Sequence, residues 1–156
     1  MKVIHQVRCT ENIAIVTFEN APANISFLSC VFDTAAKAGI NVDMISQTSP
    51  KGTTNTLSFT VIDNRVADIL RVVKQLEVQY DIIKPLVSIG NVKICLFGQE
   101  MPSKVGVAAG VFNLLNEKGI EVILITTSDV DISIVVQRAD ADIAYELLKE
   151  AYVDKH

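Results

Sequence analysis

No apolar run in the 156 residues approaches the roughly 18 that a membrane-spanning helix needs. The opening "MKVIHQVRCTEN" has no apolar stretch of the kind a signal peptide carries. Together these absences predict a cytoplasmic chain without membrane contact. Cysteine is sparse: Cys9, Cys30 and Cys95 are odd in number and never spaced as CxxC, which excludes a disulfide framework and a zinc knuckle. The three are expected to be reduced and mostly buried thiols. Histidine is scarcer still, with His5 and His156 at opposite ends of the chain, so a histidine-centred triad or acid/base pair has nothing to draw on and no catalytic residue is expected. Neither GxxxxGK[ST] nor GxGxxG occurs, which removes the common phosphate and dinucleotide loops, and no cofactor is expected.

Excess positive charge is also lacking. Fourteen basic against 18 acidic residues leave a net charge of −4, the wrong sign for neutralising phosphates. A single-stranded RNA platform would need two or three exposed aromatics on central strands. Here those strands offer Phe59 among aliphatics and hydroxyls, so no nucleic-acid partner is expected. Asp129, Asp131, Asp140 and Asp142 resemble a cation cluster on paper. The first two flank a turn and the others open a helix, where carboxylates offset the dipole, so the solvated-surface reading is preferred and no metal ligand is assigned.

What the chain does have is an internal repeat. "GINVDMIS" (39–46) returns as "GIEVILIT" (119–126), and the offset of 80 also aligns Pro22 with Pro102 and Phe32 with Phe112. Beyond residue 48 the offset falls to 75, where "TLSFTV" meets "DISIVV", because the first copy carries about five extra residues around "SPKGTTN", read as a loop insertion.

Each copy changes its hydrophobic period in the same order. "IAIVTF" reads as a strand. "FLSCVFDTAAKAG" reads as a helix with Leu28, Val31, Phe32 and Ala35 inward, ended by Gly39. "NVDMISQT" and "TLSFTVI" form a hairpin, and a helix over about 65–79 follows with Ile69, Leu70, Val73 and Leu76 inward. "DIIKPLVSI" closes the copy. The second copy repeats this with "VKICLF", a helix over about 106–118 bearing Ala108, Val111, Phe112 and Leu115, two strands, and a helix bearing Ile143, Ala144, Leu147 and Leu148.

The order βαββαβ predicts an α+β fold of two ferredoxin-like units, each an antiparallel sheet with both helices on one face. The second copy ends before its fourth strand. An orphan strand, "KVIHQV", precedes the first copy, and an open sheet edge is a liability, so the N-terminal strand is expected to complete the second sheet. The expected domains are 11–90, and 91–156 plus 1–10. "GVAAG" (106–110) allows two readings that are compatible: close packing at a helix start, and free N–H groups able to receive a carboxylate.

The phrases "GINVDMISQT", "GTTNTLSFTV", "GVAAGVFNLLNEKGIEVILITTSDVDIS" and "AYELLKEAY" resemble the paired ACT domains that form the regulatory part of aspartate kinases, over about residues 3–153. That resemblance implies a module binding an end-product amino acid, lysine or threonine, and inhibiting by feedback a kinase catalytic domain or subunit, with a homodimer as the expected assembly. It carries the effector site onto the loop before the first helix (Asn24, Ile25, Ser26), the strand after it (Asn41, Val42, Asp43, Gln47) and the matching strand of the second copy (Glu121, Val122, Thr127, Ser128). Two departures stand out. Pro-Asp-x-Pro-Gly of the family is here Pro22-Ala23-Asn24-Ile25-Ser26, and Val105 stands where the second copy usually has proline. The reading from another class is a dimerisation module that needs no ligand, or a stand-alone sensor.

Overall fold

The computed structural model describes residues 3–153. Ten main elements follow in order: β1 (Gln6–Pro22), α1 (Ile25–Lys37), β2 (Ile45–Gln47), β3 (Thr54–Ile62), α2 (Val66–Gln79), β4 (Lys84–Phe97), α3 (Val107–Glu117), β5 (Leu124–Thr127), β6 (Asp131–Gln137) and α4 (Arg138–Tyr152). Short 3-10 turns at Asp63–Arg65 and Met101–Ser103 precede α2 and α3. The chain divides into two compact units, one of Asn12–Ile89 and one of Met1–Glu11 with Gly90–His156.

The unit Asn12–Ile89 carries α1 and α2 over an antiparallel sheet in which β3 lies between β2 and β1, and β1 neighbours β4. Its core is made by alternate strand residues, Ala14, Val16 and Phe18 with Leu57, Phe59 and Val61, meeting Phe27 and Val31 of α1 and Ile69, Val73 and Leu76 of α2. Phe18 and Phe27 pack edge to face with ring centroids 6.0 Å apart, and Phe32 does the same with Phe59 at 5.5 Å. Each such ring contributes about 1.5–3 kcal/mol by burial. Phe59 is therefore spent on the core and leaves no aromatic platform on β3.

The other unit has the same order, with β6 between β5 and β4 and the N-terminal segment beside β4. His5 N–H donates to the Phe97 carbonyl at 2.8 Å, and Ile4 and Val7 join Val92, Ile94 and Leu96 in its core. The N-terminal strand thus completes the second copy's sheet. At Gly98 the approach is so close that a Cβ would lie 1.9 Å from the Val3 carbonyl oxygen.

Several expectations change. The end of "KVIHQV" (Gln6 and Val7) and "IAIVTF" lie in one strand, β1, and residues 84–89 of "DIIKPLVSI" and "VKICLF" lie in another, β4; Lys2 lies outside the described residues. Neither junction breaks the strand: Asn12 (φ 58°) and Gly90 (φ 71°) continue it at positive φ, where asparagine and glycine are the tolerated residues.

The strand read from "NVDMISQT" shortens to Ile45–Gln47. Ahead of it the Thr60 hydroxyl accepts from Met44 N–H at 2.9 Å, and Asp43 N–H reaches the Thr60 carbonyl at 3.0 Å. Leu70 and Ile143 are about half exposed rather than core, and Ala108 is exposed. The buried stripes run through Ile69, Val72, Val73 and Leu76, through Ala141, Ala144 and Leu148, and through Val111 and Leu115. One position along a helix is about 100° around it, so Leu70 and Ile143 fall on the flank.

The cysteines are free but not buried. Cys9 is exposed on β1, Cys30 flanks the Phe27–Val31 stripe with its thiol 3.5 Å from the Gln79 side-chain oxygen, and Cys95 is half-buried. No described helix is long and apolar enough to cross a membrane.

Candidate functional site

The two copies prepare their first helix starts differently. In the unit Asn12–Ile89, β1 ends at Pro22, paired with Thr54, and Ala23 N–H donates to the Thr53 carbonyl at 2.9 Å. Asn24 follows with extended backbone, and its side-chain oxygen accepts from Phe27 N–H at 2.9 Å, closing the start of α1. Ile25 is 78% exposed and Ser26 is exposed.

Gln47 reaches this same end of the unit. Its side-chain oxygen accepts from the Asn55 amide at 3.2 Å, and Asn55 also donates to the Thr48 carbonyl at 3.3 Å. Asn55 pairs with Ala21 in the ladder, is only 9% exposed, and was not among the sequence candidates. An asparagine inside an otherwise β-forming run, "TTNTLSF", was the available signal, since a buried amide must be hydrogen-bonded.

Asn41, Val42 and Asp43 sit elsewhere. Asp43 bonds to Thr60 while Gln47 pairs with Leu57, so the segment runs along β3 with Asn41 and Gln47 at its opposite ends. The fold brings Asn24, Ile25, Ser26 and Gln47 to one end of the unit and leaves Asn41–Asp43 at the other. Asn41 there lines a different cavity.

The second copy splits its candidates in the same way. Ser128 lies in the β5–β6 turn, where its hydroxyl donates to an Asp131 carboxylate oxygen at 2.6 Å and accepts from Val130 N–H at 3.2 Å. Thr127 is exposed beside it. Gly98 N–H donates to the Val130 carbonyl at 2.8 Å, which puts this turn at the end from which the chain runs toward α3. Glu121 and Val122 belong to the opposite end of the strand, next to Ile123, whose N–H bonds to Val135; Glu121 is exposed and Val122 packs on the core.

Here the helix start is open. Gly106, at φ 89°, precedes α3, no side chain caps the helix, and no acidic residue occupies its first turn. The start borders a cavity of about 380 Å³ lined by Val3, Lys104, Val105, Gly106, Val107 and Tyr152. Helix N–H groups without internal partners carry partial positive charge, and Lys104 adds a full one, so the cavity favours a carboxylate. Burial pushes the Tyr152 phenol above its ordinary pKa, which keeps it a neutral hydroxyl at neutral pH. The absent side chain of Gly110 makes room for it, because a Cβ there would lie 2.8 Å from the tyrosine oxygen. Within "GVAAG", Gly110 makes room for Tyr152 of α4 and Gly106 leads into the uncapped start of α3.

The ACT domain family model matches residues 94–152. Aspartokinase from Bacillus sp. (strain MGA3) is 31% identical over 96% of this chain, and aspartokinase 2 from Bacillus subtilis is 30% identical over 99%. The chain spans only 36% and 38% of their lengths. Among solved structures, the ligand-free regulatory subunit of aspartate kinase from Thermus thermophilus superposes with a TM-score of 0.88 at 23% identity, over 97% of this chain and 99% of that one. Aspartate kinase from Synechocystis gives 0.91 at 25% identity, over 99% of this chain and 28% of that one. Residues 94–152 thus match the ACT domain family, and nearly the whole chain is similar to about a third of the length of aspartokinases.

Proposed function

We propose that this chain is an amino-acid-sensing module that binds an end-product such as lysine or threonine, works as a homodimer, and inhibits by feedback an aspartate kinase catalytic domain or subunit. The observation that carries the reading is the contrast between the two helix starts. The Asn24 side chain already takes the Phe27 N–H at the start of α1, whereas no side chain caps the start of α3 beside Lys104. The carboxylate seat is therefore assigned to the second copy, at Gly106 and Val107, with Thr127 and Ser128 at the same end of that unit. Effector binding acts by differential affinity for two states of the assembly, a coupling of about 1–3 kcal/mol.

Calorimetric titration with lysine and with threonine tests this. Lys104→Met weakens binding at least fivefold, and Asn24→Ala leaves it unchanged. Loss of binding in Asn24→Ala with full binding in Lys104→Met overturns the assignment.

A second reading has its own support. The edge strands β2 and β5 are short, and Ile45 and Ile125 on them and Ile123 just before β5 are 42–49% exposed. Such edges suit self-association without a ligand. A dimer that forms at micromolar concentration, with no amino acid shifting its properties, favours that reading.

A further inference from the structure

The end of the first unit remote from Asn24 holds a cavity of about 270 Å³, formed by the α1–β2 connection, the end of β3 and the β3–α2 connection. Its walls are Ile40, Val61, Ile62 and Ile69, and its polar groups are Asn41, Asn64 and Arg65. Arg65 is fixed. Its Nε donates to Asp68 at 2.8 Å, and its two terminal nitrogens donate to the Gly39 and Ala38 carbonyls, each at 2.8 Å. Three of five guanidinium N–H groups are thus used and two remain. Asp68 is shared with Arg71, so one carboxylate faces two cations.

The repeat supplies an internal control. Core positions recur, as Ile40 and Ile120 do, but Asn41 becomes Glu121, and the Asp63–Arg65 turn has no counterpart because β6 runs directly into α4. A Cβ on Gly39 would lie 2.9 Å from Arg65 Nη1, whereas one on Gly119 would meet nothing within 4 Å. The fold is built in the second copy without this polar set, so the set is not a requirement of the fold.

We infer that this cavity is a second small-molecule site, taking an aliphatic 2-oxo or 2-amino carboxylate of roughly five carbons. The volume lies near the lower bound for ligand cavities, about 300 Å³, and suits a molecule of that size. A carboxylate accepts from the free N–H groups of Arg65 and from the Asn41 and Asn64 amides, while the aliphatic part lies on Ile40, Ile62 and Ile69. A guanidinium already held in place loses little freedom on binding. The site is independent of the effector reading at α3.

The test is a heteronuclear NMR titration of the whole chain with valine, 2-oxoisovalerate and valinamide. Saturable shifts at the backbone amides of Ile40, Asn41, Asn64 and Arg65 are expected with one or both carboxylates and not with valinamide; which carboxylate responds distinguishes the two sources. The double variant Asn41→Ala/Asn64→Ala, which leaves the Arg65 clamp intact, weakens binding at least tenfold. No saturable shift by about 10 mM, a range that still detects millimolar affinity, overturns the proposal. So does an equal response to valinamide, or shifts confined to residues 104–107, which belong to the other seat.

Discussion

Arg65 and Gly39 are locked together: the guanidinium donates to the Gly39 carbonyl at 2.8 Å, and only a residue without a side chain leaves room for it. The clamp joins the end of α1 to the start of α2 across 26 residues of sequence. Gly39→Ala therefore has two costs, the positive φ of 71° and the displacement of Arg65, together about 2–3 kcal/mol. Gly119→Ala has only the first, about 1 kcal/mol, with φ 65° and open space around it. Urea denaturation of both variants measures the difference.

The same clamp gives an acid dependence. The hydrogen bond from Arg65, with smaller help from Arg71, holds the Asp68 carboxyl below its ordinary pKa. A lowered folded-state pKa contributes stability that is present above the unfolded value near 3.9 and is lost as pH falls through the folded value. Stability–pH profiles of wild type and Asp68→Asn should converge below about pH 4 and separate above it. Parallel profiles would show that Asp68 is not linked to folding.

Much of this was legible in the sequence, for a physical reason. Repeat symmetry and the change of period from strand to helix reflect burial, which recurs at Val31 and Val111 or Val61 and Val136, while Gly39 and Gly119 recur for their positive φ. What was not legible depended on single side chains. Asn24 reads as a degraded effector loop in sequence and acts as a helix cap in the fold. Asn41 and Gln47 look like one strand's worth of ligand contacts, yet Asn41 lies ahead of β2 at one end of the unit and Gln47 closes β2 at the other. The junctions within β1 and β4 look like breaks in the sequence because nothing in composition separates a turn from a strand that continues through a positive φ at Asn12 or Gly90.

Asn24 gives its own prediction. Asn24→Ala removes the bond to Phe27 N–H and costs about 1 kcal/mol, while Asn24→Asp keeps an acceptor beside the helix start and costs little. Chemical denaturation of the two variants decides whether the cap is real.

Gly98 tests the N-terminal strand. Any side chain there must push the Val3 backbone aside and dislodge Ile4, which is fully buried, so Gly98→Ala should cost at least about 2 kcal/mol. Hydrogen exchange should show lost protection at His5 and Val7 before residues of the other unit are affected. Unchanged protection there would mean that the segment is not held by this contact.

The most direct test of the regulatory reading is thermal unfolding of the chain with lysine, threonine or methionine. An effector at about 100 times its dissociation constant stabilises the fold by about 2.7 kcal/mol, which for a chain of this size raises Tm by about 5–10 °C. The account predicts that rise for at least one of the three, and its loss in Lys104→Met. No change with any of them at millimolar concentration would contradict it.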